Sequence, residues 1–381
     1  MSFRKRNTII NARKHTSTAA SEVPGNEKTK PGVRPSPLDG RPTISTGTAS
    51  LDGILAGHAG LPLGTSVLVE EDGTTDFSGI LLKYYAAEGL VQGHIVHALA
   101  LHQGWTSELP GLSFGASSSR KIKSAESEKM KIAWRYEALA AVSGSRDTPS
   151  TQNDISNYPK FCYPFDLKKR LAKESVTGEI FFTETASSLM LPLDNPTPAS
   201  SPFDAFLLTL NQKLANSASD TIHRVVIPSL LSPMLYSPSL CHPSIVLQFL
   251  HSLRATLRKY SDRLTAMITF PISIFPRSSG LTRWIEHLCD GVMEITPIRG
   301  PITTRKPDEQ KEDQMQGLFK VHTLPIFHER GGGGSEGNSA REILSFTLSA
   351  SKGLFVKPYA LPPMEEEEKI VSAEKKQGLD F

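Results

Sequence analysis

Ile44-Ser45-Thr46-Gly47, then Ser50-Leu51-Asp52 and Ile54-Leu55, then Gly57 and Gly60-Leu61-Pro62-Leu63-Gly64, lead into the apolar run Thr65–Val69 and the acidic loop Glu70-Glu71-Asp72-Gly73-Thr74-Thr75-Asp76-Phe77. Beyond the loop, Ile80, Leu81, Tyr84 and Tyr85 recur at helical spacing, and Gly89 suits the end of that helix. A strand, a short loop and a helix form the arrangement in which backbone amides cradle a phosphate. Such a loop normally reads Gly-x-x-Gly-x-Gly-Lys-Thr: glycines admit the ligand, the lysine neutralises it and the threonine holds magnesium. Here Gly73 alone survives. Glu70 and Thr75 stand where glycines belong, Asp76 replaces the lysine and Phe77 replaces the hydroxyl. At an effective dielectric of about 20, two unit charges roughly 4 Å apart interact by about 4 kcal/mol, so exchanging the cation for an anion turns attraction into repulsion. Neither nucleotide nor metal is expected at this loop, and no cofactor is expected elsewhere.

The run from Ile44 to Gly64 and its strand resemble the entry to a RecA-like ATPase core. Two further positions depart from a working ATPase. The strand Arg224–Ile227 ends in Pro228-Ser229 where a magnesium-binding carboxylate would stand, and the strand His94–Leu101 runs into His102-Gln103-Gly104 with no acid to polarise a water.

Strands and helices alternate along the rest of the chain. Ser201-Pro202 opens a helix with Phe203, Phe206, Leu207, Leu210 and Leu214 on one face. Pro243 opens another, with Val246, Leu250, Leu253, Leu257 and Tyr260 inward and Arg254, Arg258 and Arg263 outside the stripe. Leu264–Phe270 and Gly291–Ile295 read as strands, and Leu318–Leu324 and Ile343–Ser349 as neighbouring strands that close the sheet. The expected fold is α/β: a RecA-like domain with a mostly parallel central sheet flanked by helices, carrying disordered tails and loop insertions.

The boundaries follow from composition. Residues 1–43 hold nine Lys/Arg against three acids and lack apolar periodicity, which predicts a disordered basic tail. Residues 44–363 form the domain, with insertions near 106–160, 299–316 and 330–340; residues 364–381 form a charged, acid-led tail. The whole chain is formally +3, so residues 44–381 are net −3 and nucleic-acid binding there has to use a local patch. No apolar run approaches the roughly 18 residues of a membrane span. Met1–Arg6 is basic with no apolar segment behind it, so no secretory signal is expected. Cys162, Cys241 and Cys289 are too scattered for a disulfide framework or a zinc site, and suit a reducing compartment.

Four segments in one order narrow the family. Gly53–Thr65, Met130-Lys131-Ile132-Ala133-Trp134-Arg135-Tyr136, Tyr163–Leu171 and Val225–Pro233 resemble the blocks of the PAXNEB family, the fourth subunit of the Elongator complex. The resemblance runs from about Arg41 to Pro363. It implies a non-catalytic subunit that joins the related fifth and sixth subunits in a hetero-hexameric RecA-like ring. It implies that the ring binds tRNA and serves the catalytic Elongator subcomplex in modifying the wobble uridine, U34, to 5-methoxycarbonylmethyl and 5-carbamoylmethyl forms. The radical and acetyl-transfer chemistry belongs to the third subunit. The implied location is cytoplasmic and also nuclear, with no membrane contact. The rival reading is an NTPase ring subunit that completes a neighbour's ATP site, for example with an arginine finger.

Candidate RNA-binding residues are Arg120, Lys121 and Lys123, which precede the Trp134-Arg135-Tyr136 aromatics, and Lys168, Lys169 and Arg170. A solvated face is the commoner role for such runs. His94, His97 and His102 do not share a strand face and read as structural rather than metal-binding.

Overall fold

Hydrophobic side chains alternate between two layers along each central strand of the protein. The computed structural model describes residues 30–55, 59–113, 160–185, 201–298, 315–325, 343–349 and 353–359. In strand β4 (Ser66–Glu71), Val67 and Val69 enter one hydrophobic cluster while Leu68 enters the other. The same division holds for β9 (His223–Ile227), β10 (Leu264–Pro271) and β11 (Gly291–Pro297), where Val226, Met267 and Met293 face one way and Val225, Ala266 and Val292 the other. A strand buried on both faces has to be covered by a layer on each side.

Among the described residues, nine strands form that sheet. With β5 (Ile95–Leu99), β8 (Glu179–Thr183), β12 (Gly317–Thr323), β13 (Leu344–Ser349) and β14 (Gly353–Pro358), its order is β14-β13-β12-β11-β4-β10-β9-β5-β8. The six strands from β11 to β8 pair in parallel, and β12, β13 and β14 continue antiparallel. This is the α/β architecture that the sequence implies. Leu344–Ser349 pairs with Gly317–Thr323 as expected, and β14 adds a hairpin that the sequence reading omits. β8, whose residues are only half-buried, was also omitted; it sits on the far edge.

Helix α1 (Ala49–Ile54) and helix α2 (Phe77–Val91) pack on one face. Helices α3 (Pro202–Asn216), α4 (Pro243–Lys259) and α5 (Gly280–Leu288) cover the other. Ser201 caps α3 by accepting from the Phe203 amide, and Pro202 fills the first turn, where no backbone donor is needed. Arg258 and Arg254 on α4 lie outside the apolar stripe, but they are latches rather than solvated charges. Arg258 donates to the Gly64 carbonyl and to Asp290, and Arg254 to the His287 carbonyl. No described helix is long and apolar enough to cross a membrane.

Two small sheets lie outside the main one. Strands β1 (Val33–Pro35), β2 (Pro42–Ile44) and β3 (Leu61–Pro62) form an antiparallel sheet, and β6 (Pro110–Leu112) pairs with β7 (Phe165–Arg170). Residues 33–43, read from sequence as part of a disordered tail, therefore carry β1 and most of β2. Charge and proline density mislead there, because Ile44 and Thr43 are fully buried and anchor the segment.

Gly89 is a second correction. It lies inside α2 and does not end it; the helix runs on to Val91, and Gly93 takes the left-handed φ of +81°. The reason is Arg224 on β9, which is fully buried against α2. A Cβ on Gly89 would sit 2.6 Å from the Arg224 Cδ. Replacing a helical glycine with alanine ordinarily stabilises by about 1 kcal/mol. Gly89→Ala is expected to reverse that sign and destabilise by roughly 1–3 kcal/mol through overpacking, measured as a lowered denaturation midpoint. A stabilised variant would show that Arg224 has room to move.

Candidate functional site

The β4–α2 loop lies where ligands gather in open parallel sheets, outside the carboxyl end of a central strand whose chain crosses away from its neighbour. After β4 the chain runs through α2 to β5, two strands beyond β10, while β11 flanks the other side. Asp76 is the N-cap residue and Phe77 opens the helix. Gly73 takes a φ of +105°, a conformation suited to glycine.

The loop binds its own anion. Glu71 Oε1 accepts from the Phe77 amide at 2.9 Å and the Thr75 hydroxyl at 2.7 Å. Glu71 Oε2 accepts from the Ser78 amide at 2.9 Å and the Ser78 hydroxyl at 2.6 Å. These amides are the free donors of the first helical turn, at the positive end of the helix dipole, where an anion is stabilised. Phosphate would need the same donors. Asp76 adds negative charge beside them: burial, then the neighbouring Glu71, hold its carboxyl above the usual range. Phe77 turns away to meet Phe346 edge-on, with ring centroids 4.9 Å apart.

Glu70, one residue earlier, points to the other side of the sheet and is fully buried. With Glu286 of α5 and Glu294 of β11 it gathers around the Arg277 guanidinium, while Lys320 and His322 of β12 pair with Glu294. Arg277 Nε lies 3.3 Å from Glu70 and 2.7 Å from Glu286, and its Nη1 lies 3.8 Å from Glu294. Burial first, then Glu286, push the Glu70 carboxyl up to about 8, and neither of its oxygens has a hydrogen-bond partner among the described residues. Glu294 is held down at about 2, chiefly by the His322 hydrogen bond, with Thr296 and Lys320 adding to it. Ligand atoms of Glu70, Glu294 and His322 lie within 4.8 Å of one another, close enough to surround a cation. The guanidinium already supplies the positive charge at that place, with its Nη1 2.8 Å from His322 Nε2.

The ends of β9 and β5 carry no carboxylate. After β9, Ser229 and Leu231 take φ values of +37° and +68°, and the Ser229 amide donates to Thr269 Oγ1. After β5, Ala100 takes a φ of +59°, and residues Gln103–Glu108 form a 3-10 turn that buries Trp105.

The Ser45-Thr46-Gly47 and Leu51-Asp52 motifs act as a structural lock. Asp52 accepts from the Ser45 hydroxyl and from both the amide and the hydroxyl of Thr46. Gly47 lies so close to α2 that a Cβ would stand 2.4 Å from the Tyr84 carbonyl oxygen. The histidines are structural as well. His94 accepts from Arg224 at 3.0 Å, and His97 pairs with His223 at 3.0 Å. Burial drives His94 and His97 down to about 3, keeping both neutral. His102 is exposed.

Of the candidate cations, Lys168, Lys169 and Arg170 are exposed along β7, with Arg170 also donating to the Glu108 carbonyl. Arg120, Lys121 and Lys123, and the segment 130–136, lie outside the described residues. Glu71 is the residue whose role the sequence reading missed. Its signal was an acid six residues before the helix start, followed by hydroxyls at Thr75 and Ser78.

The family model for PAXNEB protein matches residues 26–380. The chain is 30% identical to Elongator complex protein 4 of Schizosaccharomyces pombe over 89% of this chain and 90% of that protein. It is 32% identical to Elongator complex protein 4 of Saccharomyces cerevisiae over 79% and 70%. It is 27% identical to Elongator complex protein 4 of Homo sapiens over 77% and 72%.

The Glu71 geometry sets two expectations. Calorimetric titration of the chain with Mg-ATP should be flat, and a micromolar dissociation constant that Glu71→Ala strengthens would show a phosphate seat in use. Glu71→Ala should itself lower stability by roughly 2–3 kcal/mol in denaturant titration, since four donors lose a charged acceptor. An unchanged midpoint would mean that water replaces the carboxylate without cost.

Proposed function

The chain belongs to the PAXNEB family, and we propose from that premise that it is a non-catalytic subunit of an Elongator complex. In this reading it joins the related fifth and sixth subunits in a hetero-hexameric RecA-like ring. The ring holds tRNA for the catalytic subcomplex, which modifies the wobble uridine U34. Its place of work is the cytoplasm, and also the nucleus. Homology to Elongator complex protein 4 across nine-tenths of both chains carries this proposal.

Three structural features support it. The helix N-terminus that could take a phosphate is filled by Glu71, which argues against a nucleotide site of its own. Large apolar side chains stand in solvent on the described surface, among them Met234 at 88%, Trp284 at 61% and Leu208 at 61% exposure. Exposed aromatic and apolar anchors are what subunit interfaces use. The exposed β7 run of Lys168, Lys169 and Arg170 offers three cations on one edge strand for a phosphate backbone.

Co-expression with the fifth and sixth subunits should give a stable ring, with poor solubility for the chain alone. A well-behaved monomer that refuses those partners would overturn the assembly. In the assembled ring, tRNA affinity should fall steeply with salt, each phosphate contact to a single strand contributing roughly −0.7 to the log–log slope. Lys168→Ala/Lys169→Ala/Arg170→Ala and Arg120→Ala/Lys121→Ala/Lys123→Ala should each weaken binding and flatten that slope while the ring stays intact. If only substitutions of the 1–43 cations do so, the contact is the tail.

A further inference from the structure

The last strand on each side of a sheet presents a row of backbone donors and acceptors with no ladder to join, and folded proteins blunt such edges. The two edges of this sheet are treated differently. At β14 the edge is closed from within. Ser50 of α1 donates its hydroxyl to the Leu354 carbonyl at 3.5 Å and accepts from the Val356 amide at 3.1 Å. Pro358, which has no amide to offer, ends the strand.

At β8 the edge is open. The Glu179 amide donates to the His94 carbonyl, and the Thr183 carbonyl accepts from the Ala100 amide. Alternate residues of a parallel ladder face the partner strand, so Glu179, Phe181 and Thr183 spend their backbone groups on β5. Those of Ile180 and Phe182 point outward, and among the described residues no strand pairs with them. Glu179-Ile180-Phe181-Phe182-Thr183 has no proline, no lysine and no bulge to blunt it. Ile180 and Phe182 pack half-buried against the cluster on the α2 side. Phe181 faces the other layer, stacked on His97 and covered by the Lys213 ammonium of α3 at 3.8 Å from its ring centre. After β8 the chain turns inward: Thr185 is buried and its hydroxyl donates to the Leu235 carbonyl, beyond the end of β9 and two strands in from the edge.

We propose that β8 takes up an extended segment of a neighbouring ring subunit as a further strand of this sheet. The inference rests on the ring assembly proposed above and names one contact surface for it. Ile180 and Phe182 each present a donor and an acceptor, repeated at about 7 Å along the strand, and an extended backbone is what matches that repeat. A nucleic-acid phosphate is an acceptor alone and would leave both carbonyls unmet. The segment carries apolar side chains to lie beside Ile180 and Phe182 on one face and Phe181 on the other. It also carries a cation level with Glu179, which is exposed and has no ion-pair partner among the described residues. That charge argues against a second copy of this chain. A two-fold antiparallel pairing centred on Phe181 sets Ile180 against Phe182, but it sets Glu179 against Thr183 and leaves both carboxylates unanswered. A strand given by one subunit to the edge of the next is a heterologous contact, the kind that closes rings.

The test uses the full chain co-expressed with its ring partners. Ile180→Pro and Phe182→Pro each delete one outward amide and set a pyrrolidine ring against the incoming strand, while the amides that serve β5 remain. Each should weaken the hold on the partners about tenfold or more, read as ring dissociation on dilution. Ile180→Val, which keeps the amide and the branched side chain, should leave assembly unchanged. A second measurement does not depend on how the proline variants fold. In the ring carrying Phe182→p-benzoylphenylalanine, photocrosslinks should join this chain to another kind of subunit, and in the wild-type ring the amides of Ile180 and Phe182 should resist hydrogen exchange. Crosslinks confined to residues 186–200 of the same chain, to a second copy or to bound tRNA overturn the proposal, as do freely exchanging amides. If both proline variants assemble at full strength, the edge contact falls and the ring reading stands. If the wild-type chain forms no ring with those partners, both fall.

Discussion

A fully buried guanidinium organises this molecule. Arg224 leaves the second position of β9 and packs against α2. Its Nη1 donates to the carbonyls of Ser45 and Tyr85, and its Nε to His94. Those three contacts tie the N-terminal lock, α2 and the start of β5 to one central strand. Taking a charge out of water costs several kcal/mol, so such a group persists only when it is surrounded by acceptors and counter-charge. Glu88 and Asp52 supply the counter-charge, with Asp52 also holding the Ser45-Thr46 turn. Burial raises the Glu88 carboxyl to about 7, although Gln92, the Tyr163 amide and Arg224 oppose the shift. The conformations of Gly47 and Gly89 follow from this, because both are points where another chain element has to come within side-chain distance of α2.

The same constraint turns the N-terminal motifs to packing. A Ser-Thr-Gly run ahead of a glycine-bounded strand suggests preparation for a phosphate, yet both carboxylate oxygens of Asp52 are engaged inside the fold. The loop that follows behaves in the same way. Glu71 folds back onto the amides of its own helix, and the Glu70 cluster closes around Arg277. Two places where the architecture would admit an anion or a cation are therefore satisfied from within the chain. In both places the polar groups of the chain serve packing.

Much of the sheet was legible because its central strands are buried on both faces and read as short apolar runs bounded by glycine or proline, as at Leu264–Phe270. Helices opening on Ser201-Pro202 and on Pro243 were equally plain, since their N-terminal chemistry is local. What escaped was set by tertiary contacts. β7 reads as a charged stretch because its last three residues are exposed, and β8 is a half-buried edge. Gly89 looked like a helix end because the arginine it accommodates lies 135 residues away in sequence (Arg224). At the candidate site, the helix that the sequence shows from Ile80 begins at Phe77, with Asp76 as its N-cap. The decisive residue was Glu71, whose role depends on a side chain turning back upon its own backbone, which no spacing rule reports.

Where a folded chain leaves polar groups unmatched is informative once the internal networks are accounted for. Arg224 and Arg277 each sit among carboxylates, and the histidine pair His97–His223 is sealed in its neutral form by burial. These networks tolerate little change, because each member is another's partner and losing one strands the rest. The Thr48 and Tyr84 hydroxyls differ in kind: removing them takes nothing from a neighbour. They lie on the same face as α1 and α2, at the edge where β7 and β14 present exposed cations and the Phe355 ring. Rigid, internally satisfied chemistry thus fills the switch point of the sheet.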